Sequence, residues 1–320
     1  MMKLQINHPT PLPQSLRTNI PLHDKTFFRT GGPAAYFSEP TTVDELQYAR
    51  TFAHDNSLPI FILGSGANIL ISDEGCDGLV IKPHMTNITI TDDLVTAEAG
   101  TTLNALIITS LEHQLGGLEV FSGIPGTVGG STYINVHYFE HGLSDFIVSG
   151  QVMNVKTGEI TTVDAEWFQF GYDQSKLFDK QHILVSTTFK LAPLSQTDAA
   201  FALGRRHEII RHRERRYPKT HTCGSFFRNF TPDEVTLEIN GRKMIFIAYY
   251  LDKLGMKGEL TAGDAIISYQ HANMIINRGT ATSHDIITLA RTMQQKVFDA
   301  YGIIPQPECQ LVGFSKYPLL

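Results

Sequence analysis

"SGIPGTVGGSTYIN" spans residues 122–135 and places four glycines and a proline in the nine residues 122–130. A tight turn uses about two glycines. The excess predicts backbone lying close against a flat or phosphorylated ligand, because glycine has no Cβ to hold such a ligand off. A glycine-rich structural loop is the other reading. A second cluster, "LGSGANIL" (63–70), sets Gly64 and Gly66 around Ser65, with Asn68 following. Such a loop can turn its backbone N–H groups toward an anion. It lacks the G-K-[ST] ending of a Walker A loop, and Ile69 stands where G-x-G-x-x-G needs its third glycine. By itself it reads equally well as an ordinary turn between strands.

The chain around these loops has 320 residues, 42% of them hydrophobic, enough for a full core and about two or three domains. A formal charge of −6 and a pI near 6.1 give no reason to expect a nucleic-acid partner. Cys76, Cys223 and Cys309 are odd in number and far apart, which fits reduced thiols and neither a metal motif nor a disulfide framework. Thirteen histidines raise a metal reading, but His137 with His141 and His207 with His212 have no evident third ligand, so no metal is expected. The N-terminal stretch has no apolar core of a secretory signal, and "LPIFIL" and "MIFIAYYL" are far short of a membrane span. A cytoplasmic protein without a membrane partner is expected.

Periodicity gives the organisation. Val43, Leu46, Ala49 and Phe52 recur at helical spacing behind Thr41 or Thr42 as cap, with Glu45 placed to help. "LPIFILG" follows as a short buried strand. Residues 83–200 are β-rich, with Lys156-Thr157-Gly158-Glu159 as a hairpin turn. One helix, 102–115, interrupts them and is expected to end at Gly116-Gly117. The charged segment 197–216 reads as a helix whose basic run is a solvated face or a rim around an anion. In the last part, helices are expected to end at Gly255 and to run over 283–302 with Ser283 as N-cap and Gly302 as C-cap.

A third stretch, "HTCGSFFRNF" (221–230), holds Ser225 outside the G-x-S-x-G frame of a nucleophilic serine. Taken in order, "FFRTGGPAAYF" (27–37), the two glycine clusters, "FGY" (170–172), "GSFFRN" (224–229), "AIISYQHANMIIN" (265–277) and "PECQLVG" (307–313) resemble the UDP-N-acetylenolpyruvoylglucosamine reductase family. The likeness runs from about residue 20 to 313, in the shorter form without a tyrosine-bearing insertion.

The resemblance implies an α+β, three-domain flavoprotein. Residues 1–82 and 83–204 would form an FAD cradle of the vanillyl-alcohol-oxidase type, and 205–320 a C-terminal substrate domain. It implies non-covalent FAD on Thr30, Gly31, Gly64, Ser65, Gly66, Asn68, Ile69, Gly123, Ile124, Pro125, Gly126, Gly129 and Gly130, with NADPH as reductant. The implied reaction reduces an enolpyruvyl sugar nucleotide to UDP-N-acetylmuramate for peptidoglycan. Ser225 would protonate an enolate formed by hydride addition, and Glu308 would stabilise it in protonated form. Tyr172, Arg228, Asn229 and His271, with Lys219, would contact the sugar nucleotide. A monomer is expected.

Three positions depart from the family pattern. Asp173 stands where the family has an arginine that polarises the substrate carboxylate, which reverses the charge. At about 4 Å and an effective dielectric of about 20, two like charges repel by roughly 4 kcal/mol. Lys176 is the nearest replacement cation in sequence. "NVHYFEHG" (135–142) puts Val136, His137 and Phe139 where small residues are usual, and Phe230 replaces a proline. The alternative is therefore an FAD-binding paralogue with a different substrate or without the family reaction.

Overall fold

The structure is a computed structural model that describes residues 16–219 and 221–320. Most of the N-terminal stretch on which the absence of a leader was read lies outside the described residues. Contacts group the chain into two compact units. Of the described residues, one holds 16–20, Ala34–Ser65 and Asp77–Arg211; the other holds Pro21–Pro33, Gly66–Cys76 and the described part of 212–320. The division passes through the first glycine cluster, between Ser65 and Gly66.

The first unit is built on two sheets. In one, strands Leu16–Pro21, Pro33–Ser38, Cys76–Ile81 and Ile60–Ile62 lie side by side in that order, and Ile60 pairs with Leu79 in a parallel ladder. Helix Val43–Asp55 makes the crossover. The Thr42 hydroxyl accepts from Glu45 N, and the Glu45 carboxylate accepts from Thr41 N and its hydroxyl, so both threonines serve the cap. The second sheet is antiparallel, in the order Ile160–Asp164, Ile147–Asn154, His182–Lys190, Leu94–Glu98, Ile88–Thr91. Its hairpin at 155–159 turns because the Asn154 side chain accepts from Lys156 N and Thr157 N, both at 2.9 Å, and Gly158 takes a φ of 78°. Two apolar cores serve these sheets, and the first also takes Met153, Ile183 and Val185 from the second sheet. Leu46, Ala49, Leu79 and Ile81 centre one; Leu106, Phe121, Val152 and Phe189 centre the other.

Helix Leu103–Glu112 packs into the second core but stops before Gly116-Gly117. Its cap is His113, and Gln114 takes the left-handed turn at φ 58°. Leu115 and Gly116 leave the helix because they pair with Pro193 and Ala192 as a short ladder. The basic helix, Gln196–Arg216, buries only Ala199 and Ala202. Its charges are not all solvated: Arg205 meets the buried carboxylate of Glu119 at 3.0 Å, and Arg206 donates to Asn104 at 2.7 Å. A buried carboxylate needs such a partner, and Glu119 accepts from Gly117 N as well.

The second unit centres on Phe226, Phe227, Tyr250, Leu251, Ile286, Ala290, Met293 and Val297. A three-stranded antiparallel sheet, Thr261–Ala262, Ala265–Ile267 and Ile275–Asn277, lies beside helices Ile247–Lys253 and Ser283–Tyr301. Lys253 is the last residue of its helix, and Gly255 follows at φ 65°. The N-cap of the long helix is Thr282, whose hydroxyl accepts from Asp285 N at 3.1 Å, with Gly302 as left-handed C-cap. Ser283 is the first helical residue, because Asp73 takes its N–H at 3.0 Å and its hydroxyl at 2.8 Å. The same strand region ties in again: Ile69–Ile71 runs parallel to Gln310–Val312, with Gln310 opposite Ile69.

Candidate functional site

Gly64 faces the second glycine cluster within the first unit. A Cβ built on Gly64 would fall 2.8 Å from Thr127 Oγ1 and 3.7 Å from Gly130 Cα. Thr127 Oγ1 is already engaged, accepting from Gly130 N at 3.2 Å at the head of the short helix Val128–Tyr133. The glycines of 122–130 divide into two kinds. Gly126 and Gly129 are small because their own chain crowds them: their Cβ atoms would lie 2.9 Å from Ser131 Oγ and 3.0 Å from Ala99 O. Gly123 turns at φ 77°. Gly130 is less crowded than these two: a Cβ there would meet Thr127 Oγ1 at 3.5 Å, an ordinary contact. Part of the glycine excess thus serves packing; between the glycines, Ile124 is half-buried and Pro125 is exposed.

Thr30, Gly31, Gly66, Asn68 and Ile69 gather in the second unit. Phe27 N donates to Gly66 O at 3.0 Å, and the Thr26 hydroxyl donates to Thr30 O at 3.0 Å. Gly66 turns at φ 73° over the carbonyl of Lys25, and Gly31 sits at φ 125° against Ile71. Two polar atoms here are buried without a partner, Thr30 Oγ1 and Asn68 Oδ1; Thr101 Oγ1 is a third, in the first unit. A buried polar atom left unpaired costs about 1–3 kcal/mol. Orphans beside glycine loops fit a ligand rich in hydroxyls, phosphate oxygens and ring N–H groups, which is what FAD brings. Sequence reading missed Thr101 and Thr127, since a lone threonine carries no signal of either role.

The segments that carry Ser225 and Glu308 meet in the second unit. Their neighbours Phe227 and Pro307 form a bridge, and Glu308 N donates to Phe226 O at 2.9 Å. Asn273 holds the serine strand from the other side: Phe227 N donates to its Oδ1 at 3.1 Å, and its Nδ2 donates to Phe227 O at 2.7 Å. Ser225 is half-buried and its hydroxyl has no hydrogen bond among the described residues. The Cys223 thiol, two residues away, is pushed up first by burial, then by Cys309 and by the charge of Glu308. The acid therefore lies close to the serine strand.

The expected substrate contacts are less alike. Arg228 is engaged in a two-pronged pair with Glu234 at 2.8 and 2.7 Å, and it would have to give this up to meet a phosphate. That pair lowers the Glu234 carboxyl to about 2. Asn229 Oδ1 accepts from Ile247 N at 3.3 Å. Lys219 pairs with Glu214 at 3.2 Å. His271 is lowered to about 4, first by burial and then by Arg216, so it stands as a neutral imidazole. Tyr172 exposes its ring and packs on His137 with centroids 4.5 Å apart.

Asp173 does not face solvent. It sits at φ 51° in the turn between Gly171 and Gln174, and its Oδ1 lies 3.0 Å from His137 Nδ1. Two separate departures in sequence are one pair in space. Lys176 takes no part; its Nζ lies over the Trp167 ring at 4.7 Å. Phe230 is a core residue edge-on to Tyr250. Among the described residues no three His, Cys, Asp or Glu side chains are grouped to hold a metal.

Residues 216–312 match the model of the UDP-N-acetylenolpyruvoylglucosamine reductase C-terminal domain, and 34–164 match an FAD binding domain. A UDP-N-acetylenolpyruvoylglucosamine reductase of Chloroherpeton thalassium is 32% identical over 305 residues, 94% of either chain. The chain belongs to the UDP-N-acetylenolpyruvoylglucosamine reductase family. A reductase of Parasynechococcus marenigrum is 33% identical, covering 94% of this chain and 97% of that one. The crystal structure of the Thermus caldophilus reductase superposes with a TM-score of 0.75 at 28% identity, over 93% of this chain and 98% of that one. The reductase fold, an FAD cradle followed by a C-terminal α+β domain, is thus the fold of this chain. Asn273 is a residue that no sequence motif singles out. "HANMIIN" reads as strand and turn, and only the fold shows this asparagine bracing the serine strand.

Proposed function

We propose that this chain catalyses the NADPH-dependent reduction of UDP-N-acetylglucosamine enolpyruvate to UDP-N-acetylmuramate, with FAD held non-covalently. The observation that supports the reading is the bridge between Phe227 and Pro307, which joins the segments that carry Ser225 and Glu308, some eighty residues apart in sequence. FAD, when bound, supplies the hydride that NADPH delivers to it. Thr30, Gly31, Gly64, Ser65, Gly66, Asn68, Ile69 and the 123–130 loop would hold it. Thr30 Oγ1 and Asn68 Oδ1 would gain the partners they lack.

Hydride addition to the enol-ether carbon leaves negative charge on the carbon next to the substrate carboxylate and on its oxygens. The Ser225 hydroxyl gives its proton to that carbon and recovers one from solvent. A serine is a weak acid in water, but it needs to protonate only a strongly basic enolate. The Glu308 carboxylic acid donates a hydrogen bond to the developing charge. His271, as a neutral ring, offers hydrogen bonding and not charge. Tyr172 and Asn229 are assigned to the sugar nucleotide, and Arg228 after release from Glu234.

Three apolar cores support the division at 1–82, 83–204 and 205–320, each centred mainly in one of these stretches. No helix of the described residues is long and apolar enough to cross a membrane. We assign the chain to the cytoplasm, where its nucleotide substrates are made, as a monomer.

The charge reversal at Asp173 favours one alternative, an FAD-binding paralogue acting on another substrate. A single experiment separates the two. The purified protein is yellow, NADPH bleaches it anaerobically, and the enolpyruvyl substrate restores the colour. A protein that bleaches but recovers only with oxygen is the paralogue.

A further inference from the structure

We infer that His137, oriented by Asp173, is the hydrogen-bond donor to the substrate carboxylate, in the place of the arginine that this chain lacks. The inference rests on the reaction proposed above. Asp173 Oδ1 lies 3.0 Å from His137 Nδ1. A carboxylate only accepts, so the Nδ1 of the ring carries a proton. Nε2 has no hydrogen-bond partner among the described residues, and the side chain is 33% exposed.

The surroundings fix this geometry. Asn135 Nδ2 donates to Gly171 O at 3.0 Å, and its Oδ1 accepts from Ser144 N at 2.9 Å, so the histidine segment and the aspartate turn are bolted together. The Tyr172 ring lies against the imidazole. His137 pairs with Gly142 across a short hairpin whose other strand carries His141, itself 3.8 Å from Asp145. The turn Leu118–Phe121 packs on that hairpin and brings Glu119, which Arg205 neutralises. Glu140, at the hairpin tip, is the remaining charge in the segment. Asp173 is the acid in direct contact with the ring. Its second oxygen, Oδ2, is buried without a partner.

The chemistry follows from the ring's two forms. A protonated imidazole held at Nδ1 presents Nε2–H, a charge-assisted donor suited to a carboxylate or enolate oxygen. The neutral ring presents a lone pair there, which repels that oxygen. Asp173 then orients the donor and is not itself set against the substrate, so the charge reversal ceases to be an obstacle.

The test measures dissociation constants on oxidised holoenzyme, by flavin absorbance, at one fixed pH. The ligands are UDP-N-acetylglucosamine enolpyruvate and UDP-N-acetylglucosamine, which lacks the carboxylate. His137→Gln should weaken the enolpyruvyl ligand at least 30-fold, with UDP-N-acetylglucosamine changed less than 3-fold. Asp173→Asn should fall between wild type and His137→Gln, and His137→Arg should restore affinity. Equal affinity of wild type and His137→Gln for the enolpyruvyl ligand overturns the inference alone. Equal weakening of both ligands overturns it as well, because the pair would then be structural. A wild type that binds neither ligand overturns the reaction assignment along with it.

Discussion

Asn68 donates its side-chain amide to the carbonyl of Glu308 at 3.3 Å, across 240 residues of sequence. The contact is one rung of a longer tie, since Gln310 N donates to Asn68 O at 3.1 Å and the two segments continue as a parallel ladder. The loop assigned to the FAD diphosphate and the proposed enolate-stabilising acid are therefore held by one side chain. Asn68→Ala removes that bond and the unpaired Oδ1 together. A net loss of about 0.5–1.5 kcal/mol of stability is expected. FAD should also wash out on ultrafiltration at dilutions where wild type keeps it. An Asn68→Ala protein with wild-type flavin retention would remove Asn68 from the cofactor site.

Gly64→Ala is expected to lose FAD while remaining folded. Its Cβ would press on Thr127 Oγ1 at 2.8 Å, the oxygen that caps the following helix turn. Thr127 must yield, and the loop facing Gly130 shifts with it. Flavin content per chain, measured by absorbance at equal protein concentration, should drop several-fold. In wild type all flavin should pass a filter after denaturation; flavin kept on the precipitated chain would mark a covalent link.

Ser225→Ala should leave flavin bleaching by NADPH within a few-fold of wild type. It should slow colour recovery on the enolpyruvyl substrate by orders of magnitude, because a proton donor to the enolate acts only after hydride transfer. Stopped-flow traces of the two halves make the comparison. If both halves slow equally, or neither slows, Ser225 does not hold the role.

His271 makes stability depend on pH. Its value falls from 6.5 in the unfolded chain to about 4 in the fold, first by burial and next by Arg216. Between these values the unfolded chain binds a proton that the folded chain refuses. Its contribution is complete above pH 6.5 and is lost as pH falls toward 4, by an amount on the order of 3 kcal/mol. The difference in urea midpoint between pH 7 and pH 5 should shrink in His271→Gln, whose side chain does not titrate. An unchanged difference would place the pH sensitivity elsewhere.

The sequence by itself determined the local elements and the chemistry. Threonine caps, the Lys156–Glu159 hairpin, the helix over 283–302 and the two glycine clusters depend on residues close in the chain, and their periodicity and capping rules can be read there. The order of short motifs was enough to reach the family. Tertiary structure decided the pairings. Gln114 rather than Gly116 ends a helix because Leu115 and Gly116 are drawn into a ladder with residues 192–193. Ser283 gives up the cap because Asp73, 210 residues earlier, takes its N–H. Asp173 and His137 looked like two independent departures, since nothing in spacing says that a turn near 172 folds onto a hairpin near 138. Such facts are set by which surfaces pack together, and packing is a property of the whole chain, to which no short window of sequence has access.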